Sequence, residues 1–378
     1  MKTCLELVCG ITIAATLVGC GPKDGNKEFE LGRSAYELRD LKKAEKMFSA
    51  SVQAAPEDVD RLLFLARVKF DLGELAAAKQ LVDRAAAQAA EDSDVRLLGA
   101  QIAWHSKDYA ASAAMFSKVA DDSRFASDVR AQGWAGLGIV EMTCNNIHLA
   151  RIAFLRAIRL DRRCASAWYH LGCLYRDGFG YLDSALEQFE IFVRLEEMAN
   201  PRVQDVQRSV IPALKDSIAH AITERPGVSK RDSAAASTAI AKAEAASKKG
   251  NFKLARQSYQ EAIKLDPLSY PAALGLAKAW EKSDASKSGQ EKAFENYKLA
   301  CSLRPSAIST FLAAGSFAAK LGYHAQAVEI YSRAVAASPS SYEALDGLIR
   351  ALRKVGNRTK IAQAYQNYRD SIVRSRKK

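Results

Sequence analysis

The side chains best suited to chemistry are scattered along this 378-residue chain. Its five histidines, His105, His148, His170, His220 and His324, form no pair at metal-ligand spacing and no HExxH motif. Cys144, Cys164, Cys173 and Cys301 show no CxxC or CxxH spacing, so zinc has no framework. They read as mostly buried thiols, with a Cys144–Cys173 bridge left open because both fall on neighbouring helices. No GxSxG elbow, Walker loop or dinucleotide fingerprint occurs, and Gly133, Gly136 and Gly138 are spaced for helix packing. No nucleophile has a partner that spacing can place. The sequence therefore predicts no enzyme activity, no metal and no cofactor.

One further cysteine sits in a different setting. Leu7 to Val18 is uncharged and about a dozen residues long, short of the roughly 20 residues that cross a bilayer. With Lys2 before it, the run fits the apolar segment of an export signal, although Glu6 is an awkward neighbour. The sequence Leu17-Val18-Gly19-Cys20 resembles the bacterial lipobox. That resemblance implies cleavage after residue 19, a diacylglycerol on Cys20 and acylation of the new amino terminus, palmitate being a typical chain. Several chains at about 0.8 kcal/mol per buried CH2 make a stable anchor. Gly21 rather than Asp after the cysteine implies, by the sorting rule of enteric bacteria, the outer membrane facing the periplasm. Residues 20–24 then form a short acylated tether.

These features need elements to position them, and composition favours helices. Apolar residues make up 48% of the chain, enough for a sizeable core, while glycine, proline and aromatics are sparse. A net charge of +12 makes acidic partners easier to approach than basic ones. Export, and aromatics that do not interleave with the basic positions, argue against nucleic acid.

Self-similarity is the strongest signal. Trp168, Leu171, Gly172 and Tyr175 complete W-x2-L-G-x2-Y, followed by Ala185 and Phe189, and the preceding unit has Trp134, Leu137, Gly138, Ala150, Phe154 and Ala157 at equivalent offsets. This resembles the tetratricopeptide repeat, a helix–turn–helix unit of about 34 residues. The bulky residue of the second helix recurs at Phe48, Val82, Phe116, Phe154, Phe189, Tyr259, Tyr297, Tyr331 and Tyr365. Pro56, Pro267, Pro305 and Pro339 close second helices, and Gly73, Gly250, Gly322 and Gly356 mark the turns within repeats. Small residues such as Gly32, Ala66, Gly138, Ala44, Ala150 and Ala255 let paired helices approach, and the aromatic four residues after each second-helix alanine fills the space beside it. The fold predicted is all-α: a superhelical solenoid of about nine repeats, read as two arrays joined by a helix and linker.

The 70-residue interval between Phe189 and Tyr259 breaks the period. Residues 201–224 have apolar residues at helical spacing without the small and aromatic positions, and read as either a capping helix kinked at Pro212 or a degenerate repeat. Pro226-Gly227 then begins a linker. The division predicted is a signal peptide at 1–19, the tether at 20–24, a first array at 25–200, the cap or degenerate repeat with its linker at 201–232, a second array at 233–370 and a basic tail at 371–378. The insertion SDASKSGQ, Ser283 to Gln290, is expected to lengthen one turn between helices.

In the family, ligands lie against the first helices. At the corresponding positions the first array offers Phe29, Arg33, Tyr36, Phe64, Arg67, Phe70, Trp104, His105, Tyr169, His170 and Arg176, an aromatic groove with scattered arginines suited to a peptide. The second offers Lys248, Lys278, Lys282, Lys320, Arg350, Arg353 and Lys354, with Glu244 and Glu281 as its main acids, a basic groove suited to an acidic peptide tail or anionic polysaccharide. The family's carboxylate clamp, which needs paired asparagines, is not present: the position holds Arg33, Arg67, Gln101, Ile139 and Cys173. The resemblance implies a lipid-anchored, extracytoplasmic scaffold for envelope proteins in outer-membrane, pilus, secretion or cell-wall assembly. The alternative is a lipoprotein of polysaccharide export or anchoring that binds acidic glycan.

Overall fold

The computed structural model describes residues 25–198, 200–226 and 228–376. The expectations for residues 1–24, including acylation of Cys20, for Gly227 and for Lys377 and Lys378 lie outside the described residues.

Helices follow one another in antiparallel pairs. They are α1 (Asn26–Glu37) and α2 (Leu41–Ala54), α3 (Val59–Asp71) and α4 (Leu75–Gln88), α5 (Ser93–His105) and α6 (Tyr109–Asp121), and α7 (Ser127–Thr143) and α8 (Ile147–Leu160). Helix α9 (Ala165–Cys173) runs on into a π-helical turn, Leu174–Phe179, and is followed by α10 (Leu182–Leu195). A single helical run comes next, made of α11 (Pro201–Asp205), a second π-helical turn (Val206–Val210) and α12 (Ile211–Thr223). Four more pairs complete the described chain: α13 (Ser233–Lys248) and α14 (Phe252–Leu265), α15 (Tyr270–Ser283) and α16 (Lys287–Leu303), α17 (Ile308–Lys320) and α18 (His324–Ala337), and α19 (Tyr342–Lys354) and α20 (Thr359–Arg376). The chain divides between Leu174 and Tyr175 into two compact units.

Within each unit a helix packs on its sequence neighbours, and first helices also touch the next first helix, as α3 does α5, α5 does α7, and α17 does α19. The bulky residue of each second helix, an aromatic in all but α4, drives this pairing. Phe48, Phe116, Phe154, Phe189 and Tyr365 have no exposed surface, and neither do Ala44, Ala78, Ala150, Ala185, Ala255, Ala293 and Ala327 one turn before such positions. The small first-helix residues abut those rings: a Cβ on Gly138 would lie 2.5 Å from Phe154, and one on Gly347 2.3 Å from Tyr331. Burying a full aromatic side chain contributes roughly 1.5–3 kcal/mol, so the period in the sequence is the period of the core.

Helix starts are written locally. The carboxylates of Asp58 and Asp92 accept from the backbone amides of Arg61 (3.1 Å) and Asp94 (2.7 Å), and Asp40, Asp108 and Asn251 do the same for second helices. The turns within repeats require a left-handed residue, and Gly73, Gly250 and Gly322 supply it with φ of 73° to 80°. Elsewhere Arg39, Lys107, Asn145 and Asn357 take φ of 60° to 64°. In the last repeat it is Asn357, not the expected Gly356, that turns the chain.

Two other expectations are corrected. The insertion at 283–290 leaves a three-residue turn and instead lengthens α16, because Ser286 accepts from the Gly289 amide (3.1 Å) and starts the helix early. The stretch after residue 370 is not a loose tail as far as Arg376, since α20 continues through it with Ile372 buried. Residues 201–223 form one interrupted helical run where a repeat would have a helix–turn–helix pair. Its π-helical turn immediately precedes Pro212, whose missing N–H and bulky ring disturb the hydrogen-bond ladder one turn back.

Candidate binding faces of the two units

In the first unit, side chains from successive first helices reach one another. Tyr36 of α1 donates its hydroxyl to Asp71 Oδ2 at the end of α3 (2.6 Å). Burial and the Asp71 carboxylate together push the Tyr36 phenol far above its usual range. Phe70 of α3 meets the His105 ring of α5 edge to face at 4.8 Å, and Trp104 meets the same imidazole at 4.9 Å. Trp104 Nε1 donates to Thr143 Oγ1 at the end of α7 (3.1 Å), and Thr143 in turn donates to the Ile139 carbonyl (2.8 Å). One polar and aromatic line thus joins α1, α3, α5 and α7.

Other predicted residues have more structural work. Phe64 stacks on Phe48 at 5.3 Å, and Phe29 lies edge-on to both rings, so these two close the core between the first two repeats. Arg33 is half-buried and ion-paired to Glu30 (3.4 Å). His170 is corrected as a groove residue: it is wholly buried, with Nδ1 2.8 Å from the Ser166 carbonyl and its ring stacked on Phe154 at 5.9 Å. Tyr169 packs edge-on against it at 5.1 Å. Arg176 belongs to the second unit, where it pairs with Asp177 (2.7 Å) and lies over the Phe189 ring.

Acids on this face escaped the sequence reading. Asp60 and Asp94, together with Leu63, Phe64 and Arg67, line a small hollow between α3 and α5. Burial, then the neighbouring Asp58 and Asp92, raise the Asp60 carboxyl; burial and Asp92 raise that of Asp94, which Arg67 opposes. Their spacing of 34 residues was the available signal.

The second unit has a different surface. Lys248, Lys278, Lys282 and Lys320 are exposed, as are Arg350, Arg353 and Lys354. The last three line a cavity of about 340 Å³ between α17, α18 and α19, with Ser316, His324 and Tyr331. Arg350 pairs with Asp346 (3.1 Å) and Arg353 with the Gln366 amide oxygen. His324 Nδ1 is buried without a hydrogen-bond partner among the described residues. Burial raises the Tyr331 phenol, opposed by the charge of Arg350 and a hydrogen bond with Ser316. Of the expected acids, Glu281 accepts the Tyr297 hydroxyl at 2.5 Å, while Glu244 is exposed.

Among the described residues no three His, Cys, Asp or Glu side chains gather as a metal site. Cys144, Cys164, Cys173 and Cys301 are all thiols, and burial pushes Cys164 up to about 11 and Cys301 up to about 12, far from the thiolate that reacts. Cys144 is exposed, against the expectation of burial. No described helix is long and apolar enough to cross a membrane.

Residues 35–102, 240–287 and 308–341 each match the tetratricopeptide repeat as a known family. The chain contains tetratricopeptide repeats. They occur in both units, and the α3, α15 and α17 helices described above are first helices of matched stretches. Solved structures with a similar fold include PilF of Pseudomonas aeruginosa, at 14% identity over 66% of this chain and 94% of that one, with a TM-score of 0.41. MamA of Desulfovibrio magneticus RS-1 matches at 14% identity over 47% of this chain and 97% of its own, with a TM-score of 0.39. The Cut9–Hcn1 assembly of the APC/C matches at 15% identity over 93% of this chain and 79% of its own, with a TM-score of 0.37. The sequence matches no curated protein. None of these likenesses bears on what this chain binds.

Proposed function

We propose that this protein is a lipid-anchored scaffold of the bacterial cell envelope, held to the outer membrane through Cys20 and facing the periplasm, that binds a segment of an envelope protein against the first helices of its first unit. The line from Tyr36 and Asp71 through Phe70, His105 and Trp104 to Thr143 carries the reading. It joins four successive first helices into one surface whose aromatic anchors are already fixed, which lowers the ordering cost of binding. Arg33 and Arg67 flank it with positive charge, and Asp60 and Asp94 with negative, so a segment bearing both charges is matched. Neutralising both arginines, Arg33→Gln with Arg67→Gln, should weaken partner binding by about tenfold or more in a protein that stays folded by circular dichroism. Equal binding by the double variant overturns the reading. For the anchor, Cys20→Ser should abolish labelling by palmitate and release the protein from the membrane fraction; normal labelling and fractionation of that variant would remove the lipid from the account.

A second reading has its own observation. The cavity lined by Arg350, Arg353 and Lys354 favours an anionic ligand at the second unit, and an acidic polysaccharide supplies closely spaced carboxylates. Binding of polygalacturonate that collapses with salt and is lost in Arg350→Gln/Arg353→Gln/Lys354→Gln tests it. Binding by the triple variant equal to that of the unaltered protein refutes it.

A further inference from the structure

The second unit holds another cavity of about 340 Å³, away from the first-helix lysines, beside the helical run that breaks the repeat period. Its walls come from the start of α10, the end of α12, the end of α16 and the start of α17, with Arg333 from α18. Two arginines line it. Arg225, just past the end of α12, donates through Nη2 to the Ser302 carbonyl and hydroxyl (3.3 and 3.4 Å) at the end of α16, and its Nη1 is buried without a hydrogen-bond partner among the described residues. Arg333 lies over the Tyr181 ring at 4.9 Å, and its Nε is likewise buried without a hydrogen-bond partner among the described residues. Tyr181 is also the residue that precedes α10, it gives that helix no side-chain cap, and Leu182, Asp183 and Ser184 of the first turn line the same cavity as the arginines.

Two cations line the cavity and Asp183 is the one acid among its lining residues, so the charge there favours an anion. The rest of the wall is apolar: Ile218, Leu303 and Phe311 line it, and Ile222, 40% exposed, stands at its mouth. Asp183 is an exposed acid at the rim, which disfavours a multiply charged anion and can accept from a donor on the ligand's body. The volume equals that of about eleven waters in the liquid, room for one apolar side chain with its head group.

We propose that this cavity binds a carboxylate mounted on a short apolar body, the carboxylate between Arg225 and Arg333 and the body against Ile218, Leu303 and Phe311. The last residue of a polypeptide, with its free C-terminus, and a short fatty acid share that chemistry. The site is independent of how the first unit is used.

Titration of the mature full chain with N-acetyl-Phe-Leu, its C-terminal amide, octanoate and inorganic phosphate, followed by NMR of labelled arginine side chains, tests the site. The free acid is expected to bind at least about tenfold tighter than the amide. Arg225→Gln and Arg333→Gln should each remove that preference, and Arg350→Gln, in the other cavity, should leave it intact. Ile222→Asp, which places an acid at the mouth without touching either arginine, keeps the test decisive if an arginine variant unfolds, and it should block the acid. Octanoate binding in place of the peptide acid assigns the site to fatty acids. Equal affinity for acid and amide, phosphate binding as tight as either acid, no binding up to about 10 mM, or an acid preference that survives Arg225→Gln or Ile222→Asp overturns the proposal.

Discussion

The two units share a fold and a helix pattern but use the first-helix face differently. In the first, the side chains at ligand-facing positions hold one another: Tyr36 with Asp71, Phe70 and Trp104 with His105, Trp104 with Thr143. In the second, the corresponding lysines and arginines stand in solvent, and Arg350 and Arg353 reach half-buried partners, Asp346 and Gln366. A fixed aromatic surface suits shape recognition with little ordering cost, whereas a flexible cationic one suits charge recognition and responds to salt. The same repeat core permits both because its periodic closure rests on the buried bulky residues of second helices, with Phe29 and Phe64 as first-helix additions at one end.

The comparison breaks most readily on stability. Phe64→Ala should cost about 3 kcal/mol, because the ring closes the core beside Phe29 and Phe48, while Arg353→Ala should cost less than about 0.5 kcal/mol. Denaturant titration of both variants checks this, and similar losses would erase the distinction between the faces. On a smaller scale, Trp104→Phe and Thr143→Val should each lose about 1 kcal/mol, and the double variant little more than either, since they share one hydrogen bond. Fully additive losses would mean that the line joining α5 to α7 does not act as a unit.

Much of this organisation was legible in the sequence because core packing repeats and surface function does not. The alanine and aromatic register of second helices and the closing prolines are demanded by burial at every repeat, so the period survives in residue type. His170 shows the limit: its register pointed to the groove, but a hydrogen bond to its own Ser166 carbonyl and the Phe154 ring draw it into the core. Asp60 and Asp94 were missed because an isolated acid near a helix start ordinarily reads as favourable to the helix dipole. Arg39 and Lys107 were invisible as turn residues, since their left-handed conformation is imposed by the packed helices on either side.

The smallest expected effect concerns those acids. Because partial desolvation and the carboxylates of Asp58 and Asp92 raise the Asp60 carboxyl in the folded chain, folding is increasingly opposed as pH rises from the unfolded value of about 4 through the folded pKa, and the penalty is absent below the unfolded value. Asp60→Asn should therefore raise the melting temperature slightly at pH 7 and lose that advantage toward pH 4, while Asp346→Asn, which removes the partner of Arg350 and Arg369, should lower it at pH 7. Melting curves of both variants at the two pH values would show it, and an Asp60→Asn shift that persists unchanged in acid would place its origin elsewhere.

The central claim, that the first unit's first-helix face holds a protein partner, is tested most directly by site-specific photocrosslinking in intact cells. A photoreactive residue at Arg33 or Arg67 should give one discrete polypeptide adduct from both positions, lost when Trp104 and Phe70 are replaced by alanine, and absent from the same reagent at Lys320. Identical adducts from Lys320, or none from Arg33 and Arg67 in cells where the protein is present and folded, would contradict it.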